Sequence, residues 1–163
     1  MAGGVILAID PGISGALAFL HANNRVETFD MPVFKGKHGR ELDEASLSRI
    51  LDARSRDIEY AILEQQWARP TDSGPSAFKV GCGFGALRML LASNFIPYRQ
   101  VSPQSWKRFM QLTGEGKDAS RLAATKAFPQ DADQWKRVKD DGRAEAALMA
   151  VYGRSHPAVA RVA

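Results

Sequence analysis

Apolar residues run without a break from position 5 to position 9 and stop at Asp10-Pro11-Gly12. An unbroken run predicts a strand covered on both faces, and the Asp-Pro-Gly after it predicts a turn. Two more strands are predicted at 16–20 and 25–29, around Asn23-Asn24, which makes an antiparallel meander. Residues 32–40 have no period and contain Lys35, Lys37, His38 and Arg40, the pattern of an exposed basic loop. A helix is expected next, capped by Asp43 and burying Leu47, Ile50, Leu51 and Ala53. A second apolar run at 60–63 ends in Glu64. Reaching it through a helix requires a crossover, and so parallel pairing with a strand already laid down.

The second half is mostly helical in pattern. Residues 65–77, with Pro70, Gly74 and Pro75, read as a polar loop too long to be a plain connection. A helix at 79–93 turns Leu87, Leu90 and Leu91 inward, a short strand occupies 96–101, and helices follow at 103–112 and 118–128. A last helix at 141–152 buries Ala144, Ala147, Leu148 and Val151 and is expected to stop at Gly153. This order predicts an α/β domain on a five-stranded mixed sheet, three antiparallel strands followed by two parallel ones, with helices on both faces.

With 163 residues, one globular domain is expected, its core at about 5–153 and a short tail at 154–163. The apolar runs fall far short of a membrane span, which needs roughly 20 residues. No secretory or transit leader is legible, so a cytoplasmic, nucleoid-associated protein of bacterial or phage type is expected, organellar only if a transit peptide has been removed. Cys82 is the single cysteine, which excludes an internal disulfide and a cysteine zinc site. The net charge is +4. Between residues 99 and 126 six Lys or Arg stand against Glu115 and Asp118, so this segment carries an excess equal to that of the whole chain. Such a stretch is either a solvated helical face or a track for phosphates.

Asp10 and Glu64 each close an apolar strand, at the sheet edge where α/β sites are built. Asp141 and Glu145 are four apart on one helix face, whereas Asp140 is turned about 100° from Asp141. Like charges at that spacing cost a helix a little, and a divalent cation reverses the sign of that cost. Oxygen donors without His or Cys suit Mg²⁺ or Mn²⁺. Four such carboxylates can hold two ions about 4 Å apart for an in-line phosphodiester displacement. Taken singly, Asp10 also fits an Asx-turn, Glu64 a solvent loop and Asp141 a favourable helix N-terminus.

The ordered set of motifs resembles RuvC-type Holliday junction resolvases. It consists of Ile9-Asp10-Pro11-Gly12 with Gly15-Ala16, then Leu63-Glu64, then Val101-Ser102-Pro103 with Trp106-Lys107. Lys117-Asp118-Ala119-Ser120-Arg121 and Asp141-Gly142-Arg143-Ala144-Glu145-Ala146 complete it, and the similarity spans about residues 5–153. The bacterial RuvC pattern sets its last two acids three apart, but that position here is Gly142. The spacing of four resembles the phage and chloroplast branch. The resemblance implies an RNase H-like fold, a homodimer, binding of four-way junction DNA, and paired symmetric nicks leaving 5′-phosphate and 3′-hydroxyl ends. It implies two Mg²⁺ per site, with Mn²⁺ as a substitute, held by the catalytic acids Asp10, Glu64, Asp141 and Glu145. Lys107 and Lys117 match basic positions near the cleaved strand, where Lys117 would also serve catalysis. With Arg121, Lys35, Lys37 and Arg69 they form the expected DNA-binding set, and binding should be salt-sensitive.

Gly81-Cys82-Gly83-Phe84-Gly85-Ala86 mimics a dinucleotide fingerprint but follows a Pro/Ser loop and not a strand, so no nucleotide cofactor is expected. Gly81 and Gly85 fit a close helix contact in a dimer, or a helix that merely tolerates glycine. Trp67, Arg69 and Phe78 flank the loop after Glu64 and suit stacking on unpaired bases, or packing back on the core. Trp106 and Trp135 read as packing residues, and His21, His38 and His156 as surface residues. Two other functions fit the same residues: an RNase H-like nuclease for hybrids, flaps or transposon ends, and a non-catalytic junction-binding protein.

Overall fold

The computed structural model describes residues 4–37 and 39–157, apart from the side chain of Lys117. The expectations for His38, for the Lys117 side chain and for most of the tail lie outside the described residues. In chain order the meander is β1 (Val5–Asp10), β2 (Ala16–Leu20) and β3 (Val26–Asp30). A hairpin of β4 (Val33–Gly36) and β5 (Gly39–Leu42) leads to α1 (Glu44–Asp52) and then β6 (Ile58–Glu64). The chain continues through α2 (Gly74–Ser93), β7 (Tyr98–Val101), α3 (Pro103–Phe109), α4 (Lys117–Ala127) and α5 (Asp141–Ser155).

The main sheet has the order β3-β2-β1-β6-β7. β1 pairs antiparallel with β2 and β2 with β3, while β6 pairs parallel with β1 and β7 parallel with β6. The expected mixed sheet is therefore present. Side-chain alternation divides the core into two layers. Val5, Leu7, Ile9, Leu17, Phe19, Ala61 and Leu63 pack on Leu47 and Leu51 of α1 and Leu87 and Leu91 of α2. Ile6, Ala8, Ala18, Tyr60 and Ile62 pack on the opposite face against Ala144, Ala147 and Leu148 of α5, Trp106 of α3 and Ala124 of α4. Among the described residues no helix is long and apolar enough to cross a membrane.

This alternation aims the acids. Asp10 has the parity of Ile6 and Ala8, and Glu64 that of Tyr60 and Ile62, so both belong to the α5 face of the sheet. β1 and β6 are in register at Ile9 and Leu63, and the next rung sets Asp10 beside Glu64 at the carboxyl edge.

α5 reaches that edge because glycine lets it lie close. A Cβ on Gly142 would stand 2.6 Å from the Ser14 carbonyl oxygen and 3.2 Å from Gly15 Cα. Gly142→Ala is therefore expected to cost about 1–3 kcal/mol of stability by overpacking. Urea unfolding followed by circular dichroism measures it, and an unchanged midpoint would show that the contact is slack.

Several elements depart from the sequence pattern. Residues 32–40 are not a loop: Val33 pairs with Leu42, Phe34 with Glu41 and Lys35 with Arg40, and Gly39 takes the positive φ (102°) that the turn requires. A short ribbon with mostly exposed faces carries no apolar alternation to betray it. α2 starts at Gly74, several residues before the expected 79, because Ser73 caps it by accepting from the Ser76 N–H at 3.3 Å and Pro75 fits its first turn. α3 ends at Phe109 and not near 112, since Gln111 adopts a positive φ of 58°. Ala53 is exposed at the end of α1 and takes no part in its buried stripe. α5 runs through Gly153, which serves not as a stop but as a point of close approach: a Cβ there would meet Ile62 Cγ1 at 2.6 Å.

A 3-10 segment at Pro129–Trp135 is also absent from the sequence reading. It protects the exposed edge of the sheet. Buried Asp131 accepts from the Val26 N–H at 2.9 Å and from Arg25 Nε at 2.8 Å, and Gln134 accepts from the Thr28 N–H at 2.7 Å while donating to the Val26 carbonyl at 2.6 Å.

Candidate active site

Asp10 ends β1 where the chain turns through Pro11 and Gly12, and its Oδ1 accepts a long hydrogen bond from the Gly12 N–H at 3.5 Å. Burial, and then the negative charges of Glu64 and Glu145, push its carboxyl up to about 7. Gly12 and Lys107 oppose that shift without cancelling it. Glu64 is raised as well, first by burial, with Glu145 adding to the effect and the Trp106 hydrogen bond working against it. Asp10 of β1 and Glu64 of β6 are thus both raised by burial and by the charge of Glu145 on α5, the kind of perturbation that clusters at functional sites.

Glu145 sits one turn into α5. Its Oε1 pairs with Lys107 Nζ at 3.2 Å and accepts from the Ser120 hydroxyl at 3.3 Å. Asp141 opens α5 one turn earlier. Its neighbour Asp140 is buried and committed elsewhere: the Arg137 backbone N–H donates to it at 3.1 Å, and the Arg137 guanidinium donates at 2.8 Å. That guanidinium holds the Asp140 carboxyl below its usual range. Asp140 therefore braces the entry to α5.

Among the described residues no three of these side chains are drawn into coordination distance of one point. The donor set nonetheless suits a hard divalent cation, since it consists of carboxylates with neither His nor thiolate among them. A raised Asp10 carboxyl in a crowd of like charge is what such a cation would relieve.

The basic residues expected at DNA divide into two groups. Lys35, Lys37 and Arg69 are exposed, on the β4–β5 hairpin and on the loop after β6. Lys107 is held at the acids. Arg121 is turned inward, ion-paired to Asp118 and donating to the Lys136 carbonyl at 3.1 Å, so it ties α4 to the segment before α5. Beside Asp10 a cleft of about 850 Å³ opens between the hairpin and α2, bounded by Gly12, Gln66, Phe34, Arg40 and Phe78. Trp67 is 56% exposed and Phe78 73% exposed, so neither folds back on the core.

Sequence reasoning missed three contributors. Trp106 is buried as expected of a packing residue, but its indole N–H donates to Glu64 Oε2 at 2.6 Å. Ser120 reaches Glu145, and Arg40 donates to Ser14 Oγ at 3.1 Å above the turn after Asp10. Trp106 immediately before Lys107, just after a strand that ends level with Glu64, was the available signal. His156 is likewise more than a surface residue, since its ring stacks on Tyr152 with centroids 4.3 Å apart.

No family model matches this chain, and no curated protein matches it. Solved structures do. Thermus thermophilus RuvC in complex with Holliday junction substrate has a TM-score of 0.64 and 19% identity, over 95% of this chain and 98% of that one. A second structure of Thermus thermophilus RuvC gives 0.55 and 18% identity, over 93% and 96%. The yeast mitochondrial Holliday junction resolvase gives 0.53 and 16%, over 91% of this chain and 77% of that one. The fold is thus the RNase H-like fold in the form these resolvases carry.

Proposed function

We propose that this protein is a Holliday junction resolvase: a homodimeric, magnesium-dependent endonuclease that cuts four-way DNA junctions by paired, symmetric nicks. The observation that carries this reading is the placing of Asp10 beside Glu64 at the carboxyl edge with Glu145 near, where burial first, and then the charges of Glu64 and Glu145, push the Asp10 carboxyl up to about 7. In α/β sheets that edge is where sites are built, and the fold is similar to that of a RuvC solved in complex with Holliday junction substrate. Asp10, Glu64, Glu145 and Asp141 would hold the ions. Mg²⁺ held there, or Mn²⁺ in its place, would supply an activated water and charge stabilisation for the departing 3′ oxygen, the chemistry that leaves 5′-phosphate and 3′-hydroxyl ends. Lys107, and Lys117 one helix further on, then contact backbone phosphates near the cut, and Lys35, Lys37 and Arg69 guide the arms of the junction.

α2 supports the dimer. Its outer side carries Phe78, 73% exposed, and Met89, 67% exposed, and nothing lies within 4 Å of a Cβ placed on Gly81 or Gly85. Two exposed apolar side chains with glycine gaps between them suit the approach of an identical helix.

A digest of a mobile synthetic junction in Mg²⁺, mapped at nucleotide resolution on all four strands, tests the proposal. Paired nicks related by two-fold symmetry are expected. Cutting of RNA-DNA hybrids or flaps in preference to the junction would assign another RNase H-like substrate, and binding without any nick would make the protein a junction binder. Junction affinity should also fall by roughly 10³ or more between 50 and 200 mM salt if six or more phosphates are contacted. A flat salt response in a gel-shift titration would remove the basic residues from the interface.

A further inference from the structure

A tryptophan indole has one N–H donor and no acceptor, and a buried ring must find that donor a partner inside the protein. Trp135 does so in an ordinary way, donating to the Thr125 hydroxyl at 3.0 Å. Trp106, equally buried, directs its donor at a carboxylate of the candidate site, Glu64 Oε2, at 2.6 Å. We infer that Trp106 is a positioning residue for Glu64, fixing the orientation in which that carboxylate meets a divalent ion. The inference rests on the nuclease reading given above.

The chemistry of the donor matters. A lysine or arginine on Glu64 would cancel the charge that must attract a cation. A neutral indole satisfies one oxygen and leaves the full negative charge in place. It also stops rotation about the last bond of a flexible side chain, so the entropy of ordering Glu64 is spent in folding and not when the ion binds.

The device is built from the register of the sheet. Glu64 is level with Val101, and the Gln65 N–H donates to the Val101 carbonyl at 2.8 Å. Ser102 then caps α3, accepting from the Ser105 N–H at 3.2 Å, with Pro103 in the first turn. Trp106 therefore stands five residues beyond the rung that holds Glu64, on a helix whose start is fixed. The next residue, Lys107, reaches Glu145 at 3.2 Å and lies over the Trp106 ring at 5.2 Å. Adjacent side chains of one short helix thus hold two acids from different elements, the first through a neutral donor and the second through a charge.

The test is Trp106→Phe, which keeps a buried ring and removes the N–H. Mg²⁺ binding is measured by calorimetry, and junction cleavage is followed across a Mg²⁺ titration. The variant is expected to bind Mg²⁺ roughly 10- to 100-fold more weakly and to need correspondingly more for half-maximal cleavage. In a Glu64→Gln background the same substitution should change Mg²⁺ binding little, because the two residues act as a unit. An unchanged Mg²⁺ requirement in a wild type that cuts would overturn the positioning role and leave the nuclease reading intact. A full-sized effect persisting beside Glu64→Gln would overturn it too, as simple loss of packing. A wild type that neither binds Mg²⁺ nor cuts overturns both readings.

Should Trp106→Phe fail to fold, the indole N–H resonances of the three tryptophans decide the matter. One is expected to lie apart downfield, to move on adding Mg²⁺, and to move upfield in Glu64→Gln. Three resonances indifferent to both changes would overturn the inference.

Discussion

Asp10→Asn is expected to lower junction cleavage at least about a thousandfold, equal to roughly 4 kcal/mol of barrier, while making the metal-free protein more stable at pH 8. Opposite signs for activity and stability follow from the same raised carboxyl. In the folded protein Asp10 gives up its proton near pH 7, whereas in the unfolded chain it does so near 3.8. Below pH 3.8 both states hold the proton and the group is neutral in its effect. As pH rises from there through 7, the unfolded chain ionises first, and the folded state loses up to about 4 kcal/mol that does not return at higher pH. Asparagine cannot ionise, so the loss disappears. Thermal melts in EDTA at pH 5 and pH 8 read this directly, at roughly 2–4 °C per kcal/mol for a chain of this size. The wild type should melt lower at pH 8 and recover on adding Mg²⁺. Asp10→Asn should show a flatter pH response and a smaller recovery. A variant that is less stable than wild type at pH 8 in EDTA would mean that Asp10 is a structural turn residue.

In the proposed dimer, with α2 set against α2, Met89→Asp should give a monomer with little change in the stability of the single fold. Met89 is 67% exposed and makes no part of either core layer, so within one chain an aspartate there stays in water at small cost. Between two copies of α2 it would bury a charge without a partner, which costs several kcal/mol across the symmetric pair. Sedimentation equilibrium should show a dimer for the wild type and a monomer for the variant. Simultaneous nicking of opposed strands should disappear with it, since each subunit of the proposed dimer would supply one active site. A wild type that is already monomeric, or a variant that still forms the dimer, places the interface elsewhere.

The sheet was legible because its signals are local. An unbroken apolar run ending at Asp10, and another ending at Glu64, state both the strand and the edge at which it stops. The helical crossover between them fixes parallel pairing, and side-chain parity then puts both acids on one face. The spacing of Asp141 and Glu145 is equally local.

What escaped notice depends on contacts between distant residues. The β4–β5 hairpin is held by its ladder and by Gly39, not by an apolar face. The edge cover of Asp131 and Gln134 joins segments about a hundred residues apart. Gly153 is a helix stop by its local pattern and a helix interior by its packing against Ile62. Trp106 shows the same limit at the site, since composition marks it as core and only the fold reveals which atom its N–H meets. Arg121 shows the reverse: a basic residue in a basic segment whose two terminal guanidinium nitrogens are engaged by Asp118 and the Lys136 carbonyl of its own chain.

Diffraction from crystals grown or soaked with Mn²⁺, with anomalous maps at the carboxyl edge, tests the metal site most directly. Two peaks about 4 Å apart are expected, ligated by Asp10, Glu64 and Glu145 with Asp141 alongside, and with Lys107 moved off Glu145. Maps of a catalytically active preparation with no manganese at these four residues, or with manganese bound at some other cluster, would contradict the account.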